Sequence, residues 1–343
     1  MTNPYTQFTK ENLELALTHY KTTREIQDVL LVCFDQHGKW IGHPFLIVDD
    51  DCDILPKQNV SANRLVRICP EGQKILLCSF QSNSELPIEI DYQHVAGQIS
   101  LKKALQFSAP NLQTVGGDLN AEDATTFDAP RLQMVQRGLN AYSAKTFKAP
   151  NLQTVCGDLF VYSISTFNAP CLQTVVGCLS AVLATTIHAP CLKSVNRGLW
   201  ATSATFIDAP NLQTVNGDLC AVSVTAFFAP ALQTVNGDIS AGFATTFHTP
   251  SLQTVGGDLD ANSAEDFCAP NLQSVDGSMY AGSATKLKAH NLKLVGGDLD
   301  TRKASNFYNP TLDVAGTHKK HPHAKRRWKA IRDARASEPD LEI

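Results

Sequence analysis

The sequence predicts a mainly β fold: a parallel β-solenoid of about 11 coils of 20 residues, preceded by a small α/β domain and followed by a basic C-terminal helix. Three observations predict it. Leucine returns every 20 residues from Leu112 through Leu132 and onward to Leu312, with no insertion. Valine keeps the same period from Val115 to Val295, and a third apolar column runs Ile99, Leu119, Leu139 and onward to Leu299. Pro130 and Gly117 recur in altered copies, so a helix of ten or more residues has no room within a unit. One coil cannot bury its own apolar face, but stacked coils make a continuous core.

The unit that begins "NLQTVGGDLNAEDATTFDAP" at Asn111 assigns the elements of a coil. In "DLNAE", inward Leu119 and Ala121 alternate with outward Asn120 and Glu122, which predicts a short strand. Leu112, Val115, Ala124 and Phe127 supply the remaining core, and alanine at two inward positions lets opposite walls approach. Val161, Ile164 and Val224 are larger exceptions in those small columns. Pro130 needs no ladder donor and fixes φ, which suits a corner. Gly117 suits a positive φ or a close backbone approach. Arg137 and Arg197 replace that glycine, each followed by Gly138 or Gly198, which predicts a turn shifted by one residue. The row Asp118, Asp158, Asp218, Asp238, Asp258 and Asp298 would repel if buried together, so it is expected at a solvated turn accepting backbone N–H bonds. Calcium binding or a duplex-mimicking acidic stripe are its functional alternatives. Asn111, Asn151, Asn211, Asn271 and Asn291 read as turn residues able to bond from coil to coil.

Residues 1–90 lack the period and read as a capping α/β domain, with residues 91–316 as the solenoid and 317–343 as the tail. "TKENLELALTHYK" predicts an amphipathic helix capped by Thr9, and "SANRLVRICPEG" a second helix capped by Ser61. "DVLLVCFD", "PFLIVDD" and "KILLCSF" predict buried strands. After Leu312 the register decays, and Lys319, Lys320, Lys325, Arg326, Arg327, Lys329, Arg332 and Arg335 make a basic segment, helical over about 323–336. Trp328 and Ile331 share one face of that helix and could dock it on the last coil.

The text "LQTVGGDL" followed by a strand resembles the coils of leucine-rich-repeat proteins and receptor L-type domains, over about residues 92–315. That resemblance implies a protein-recognition role, and a bacterial effector delivered to a host as one setting for it. The chain departs from the leucine-rich consensus by placing Ala124 where an inward asparagine follows the strand. Because 20 is four fives, the unit also resembles pentapeptide-repeat β-helices, though "GDLNA", "EDATT", "FDAPN" and "LQTVG" differ in character. The order of elements before residue 90 resembles the front half of JAB/MPN-type metalloprotease-like domains. Where that family carries a His-x-His-Pro zinc motif, this chain has "SFQSNSELP" without histidine, so the zinc site is missing.

Composition bounds the function. Net charge is −4 with 18% charged residues, which gives the whole molecule no polyanion-seeking bias. No apolar run of 18 residues exists, so no membrane span is expected. The opening "MTNPYTQFTKENLELAL" lacks a basic stretch followed by an apolar core, which argues against Sec export and for a cytoplasmic protein. A non-Sec route into a host cell stays open. The 10 cysteines fall at different phases of the repeat, without CxxC or zinc spacing, and read as free thiols of a reducing compartment. No GxSxG, HExxH, P-loop or dinucleotide glycine fingerprint occurs, so neither catalysis nor a cofactor or metal is expected.

A partner is expected on the strand face, where the slots of Asn120 and Glu122 become Tyr142, Phe160, Tyr162, Val182, Trp200, Val222 and Tyr280. Leu183 and Phe243 stand one position later. Aromatic and aliphatic side chains in outward slots mark a protein-binding patch, because tryptophan and tyrosine dominate binding hot spots. Stacking along the ladder is the structural alternative. The tail residues Lys325, Arg326, Arg327, Lys329 and Arg332 could instead engage nucleic acid or an acidic surface.

Overall fold

The computed structural model describes residues 79–320 apart from Tyr308, together with the backbone of strands Leu46–Ile47, Leu65–Ile68 and Lys74–Leu76. It is a parallel β-solenoid of about 12 coils. Each regular coil contributes three short strands, as in Thr114–Val115, Leu119–Asn120 and Thr126–Asp128. Equivalent strands stack in register 20 residues apart: Val115 pairs with Val135, Leu119 with Leu139 and Phe127 with Phe147. They form a valine sheet of 15 strands, a leucine sheet of 13, and a phenylalanine sheet split into runs of four, three and four.

The coil follows from its residue types. Leu112, Val115, Leu119, Ala121, Ala124, Phe127 and Ala129 are all buried without measurable exposure. Two tight turns join the strands. Ala124 N–H donates to Ala121 O at 3.1 Å, and Leu132 N–H donates to Ala129 O at 3.1 Å around Pro130. Proline at the second position of such a turn presets its φ. The strand in "DLNAE" is therefore shorter than the alternation predicts: it covers Leu119–Asn120, and Glu122 belongs to the turn.

Four sequence expectations about the turns meet the structure differently. Asp118 behaves as expected, its Oδ1 accepting the Gly138 N–H at 2.8 Å one coil on. Asp158, Asp218, Asp238 and Asp258 repeat that bond to the following coil, and Asp298 to Thr317. Asn151, Asn211 and Asn271 likewise donate to the carbonyls of Pro130, Pro190 and Pro250. Of the two uses expected of Gly117, positive φ is not the one found: its φ lies outside the left-handed range, and the one described non-glycine with a positive φ is Lys103 at 86°. Gly117 is needed for close approach, since a Cβ there would lie 2.8 Å from Gln98 N. The turn at Arg137 is a correction. It keeps its place, because Val135 and Leu139 pair with Val155 and Leu159 without slippage.

The solenoid runs past the readable period at both ends with coils of 19 residues. Phe80 pairs with Ile99, and Leu299 pairs with His318. Strand His318–Lys320 thus puts Lys319 and Lys320 in the leucine sheet. At the other end, Leu65–Ile68 pairs antiparallel with both Leu46–Ile47 and Lys74–Leu76, and the last of these continues the valine sheet through Val95. Leu65–Ile68 overturns the helix expected from Ser61. "LVRI" is an apolar, partly β-branched run that finds ladder partners on both sides, and pairing outweighs a cap signal. Leu46–Ile47 and Lys74–Leu76 lie within two of the expected strands. The strand expected in "DVLLVCFD", the helix from Thr9 and the basic helix over 323–336 lie outside the described residues.

Candidate protein-binding surface

The expected partner residues sit on the leucine sheet and on the turn that follows it. Phe160, Trp200 and Tyr280 occupy the outward position of their strands. Tyr142, Tyr162, Val182 and Val222 occupy the first turn residue, and Leu183 and Phe243 the second. Tyr142, Leu183, Trp200 and Phe243 are exposed, while Phe160, Tyr162, Val182, Val222 and Tyr280 are half-buried. Tyr142 and Tyr162 stack with ring centroids 4.6 Å apart and planes at 10°. The repeat spacing alone brings these two rings face to face.

Every coil from Tyr142 to Phe243 contributes at least one of these groups, and in the coil of Trp200 the turn slot beside it holds Thr202. Tyr280 stands apart, because the intervening coil presents Asp260, Asn262 and Ser263. The structure adds two residues that the strand-face reading missed. Phe206 and Phe228 lie on the phenylalanine sheet, just beyond the same corner, and are 58% and 54% exposed against 37% for Trp200. Their signal was readable: Phe206 stands in a threonine column and Phe228 in a column of Asp128, Lys148 and Asn168. Phe228 stacks on His248 with centroids 5.0 Å apart. The patch therefore wraps a corner instead of covering one flat face.

The polar groups near the patch are structural. His188 Nδ1 lies 2.6 Å from Asp208 Oδ2 in one column of the phenylalanine sheet. Threonines 125, 185, 205, 225, 245 and 285 donate their hydroxyls to carbonyls of the preceding coil. At the last coil, burial lowers the His318 pKa from 6.5 to about 4, and Lys320 adds to the effect. The ring is neutral at neutral pH; the stability tied to it is intact above pH 6.5 and fades as the pH falls toward 4.

The described residues contain no group of three or more His, Cys, Asp or Glu side chains able to hold a metal ion. Cys156, Cys171, Cys178, Cys191, Cys220 and Cys268 are free thiols. No helix among the described residues is long and apolar enough to cross a membrane. Lys325, Arg326, Arg327, Lys329 and Arg332 lie outside the described residues. Comparison of the chain with family models, curated proteins and solved structures finds no match.

Proposed function

We propose that this chain is a non-enzymatic recognition or scaffold protein that binds another protein through the corner patch between Tyr142 and Phe243. The observation that carries the reading is the run of exposed Tyr142, Leu183, Trp200, Phe206, Phe228 and Phe243 in slots that other coils fill with polar or small residues. A rigid array of this kind loses little freedom on binding, which favours an extended interface. Aromatic side chains carry a large apolar area with few rotatable bonds, so they are efficient anchors. The resemblance to leucine-rich-repeat coils supports the same reading, and a bacterial effector acting in the host cytoplasm is the setting it suggests.

The test is substitution at the patch. Tyr162→Ala and Trp200→Ala are each expected to weaken partner capture at least tenfold while costing no more than about 1.5 kcal/mol of stability, the scale of the lost ring contacts with Tyr142 and Gly198. A fall in melting temperature with unchanged capture would assign both side chains to packing.

A second reading, nucleic-acid association, is favoured by one observation. Exposed Lys286, Lys288, Lys293 and Lys303 make the last coils basic, and the sequence continues that bias through Lys325, Arg326, Arg327, Lys329 and Arg332. It calls for a duplex-DNA shift that weakens with salt and disappears when residues 321–343 are removed. The acidic row does not add to it, because each of its aspartates already caps a backbone N–H of the next coil.

A further inference from the structure

Two coils carry the same departure from the repeat: "VQRGL" at 135–139 and "VNRGL" at 195–199. Both replace the capping aspartate with glycine, at Gly138 and Gly198, and so remove one side chain from the outer surface of the leucine sheet. What fills the gap differs. At Gly198 the indole of Trp200, two residues on and on the same face, lies over the glycine. A Cβ at that position would sit 2.6 Å from Trp200 Nε1 and 3.0 Å from Cε2, and Gly198 is buried beneath the ring.

At Gly138 the position equivalent to Trp200 is Asn140. Its Oδ1 accepts the Tyr142 N–H at 3.1 Å, which commits the side chain to the turn. Gly138 stays partly exposed, and a Cβ there would find nothing closer than Asp118 Oδ1 at 3.3 Å. A cavity of about 330 Å³ remains, lined by Ser100, Asp118, Asn120, Gly138, Asn140 and Phe160 among others. That volume falls at the small end of ligand clefts, which run from about 300 to 1,000 Å³.

From this pair we infer that the notch at Gly138 receives an indole side chain presented by a protein partner, in the place that Trp200 occupies at Gly198. The bare glycine offers a flat floor for a ring, and Phe160 offers an apolar wall. Asp118 spends one carboxylate oxygen on the Gly138 N–H and keeps the other as acceptor for an indole N–H. Buried tryptophan rings need such an acceptor at one edge and apolar contact elsewhere. The ring preference is read from this chain alone. The identification of its bearer as a protein rests on the function proposed above.

The test needs no partner. Selective ¹⁵N-glycine labelling of the full chain reports Gly138 and Gly198 together while N-acetyltryptophanamide is titrated. The wild type is expected to show one saturable set of shifts centred on Gly138. Asn140→Trp copies the arrangement at Trp200 and should abolish that binding, at least tenfold, with melting temperature unchanged. Trp200→Asn should open no second site of comparable affinity at Gly198, because Cys178 and Cys220 stand there in the places of Asp118 and Phe160. No saturable shift at Gly138 in the wild type, or undiminished binding in Asn140→Trp, overturns the inference. So does binding that appears only after Trp328→Ala, because the C-terminal segment of this chain would then own the notch. These outcomes are independent of capture through Tyr162 and Trp200, so the notch and the wider patch can fail separately.

Discussion

The leucine sheet runs unbroken through 13 strands, whereas the phenylalanine sheet of the same coils is cut twice. The cuts fall between Thr146–Lys148 and Thr166–Asn168, and between Phe206–Asp208 and Ala226–Phe228. Each cut coincides with the coils whose corner alanine is enlarged, to Ile164 with Val161 beside it, or to Val224. The turn bond that spans 3.0–3.1 Å in alanine coils stretches to 3.5 Å at Ile164 and 3.2 Å at Val224. Phe147 and Phe167 stand 6.0 Å apart across the first cut, against 4.8 Å for Phe127 and Phe147. Ala129 donates its N–H to Lys148 O, but among the described residues Ala149 and Ala209 lack the equivalent bond. Dense interiors do not absorb extra methyl groups without moving backbone. A few atoms at a corner therefore decide whether the next strand pairs, and the leucine sheet, which precedes that corner in each coil, is spared.

The largest way to break this contrast is to empty the intact part of the phenylalanine sheet. Phe127→Ala removes a fully buried ring that stacks on Phe147 and packs tilted against Phe107, and is expected to cost about 3–5 kcal/mol in chemical denaturation. A loss below about 1 kcal/mol would mean that the coil closes the void. A smaller effect sharpens the contrast: Val224→Ala should rejoin Phe206–Asp208 to Ala226–Phe228. The Ala209 amide would then gain a hydrogen bond worth about 1 kcal/mol, and its hydrogen exchange should slow about fivefold. Unchanged exchange would assign the cut to some other cause. An effect of similar size concerns a slot that departs from alanine without cutting a sheet. Thr249 is buried and its hydroxyl has no hydrogen-bond partner among the described residues. Thr249→Val keeps the shape and should stabilise the protein by about 1 kcal/mol.

Much of this architecture was legible before any coordinates. The columns of Leu112, Val115, Leu119, Ala121, Ala124 and Phe127 name the interior because a stacked coil must bury the same slots each time. The enlarged corners Val161, Ile164 and Val224 were visible too, but their consequence was not, since it depends on a gap of tenths of an ångström between coils. For Gly117 the sequence left positive φ and close approach open, because glycine serves both; the backbone of Gln98 in the preceding coil selects close approach. The Ser61 helix failed because a cap signal is local, whereas the strand Leu65–Ile68 is chosen by partners on either side. For the surface, Tyr142, Leu183, Trp200 and Phe243 could be read as exposed from phase alone. Phe206 and Phe228 carried the same signal on the next sheet, in columns otherwise held mostly by threonine and by polar or charged residues. That Trp200 covers Gly198 while Asn140 leaves Gly138 open is a matter of rotamer and turn bonding, which no periodicity contains.

In the proposed division of roles, the repeating slots build the solenoid while the slots that refuse to repeat bind a partner. Amide hydrogen exchange of the full chain, with and without a captured protein partner, tests it most directly. New protection is expected only in the leucine strands and following turns between Tyr142 and Phe243, and in the adjoining segments at Phe206 and Phe228. Protection on the valine sheet, or confined to residues 321–343, would contradict it.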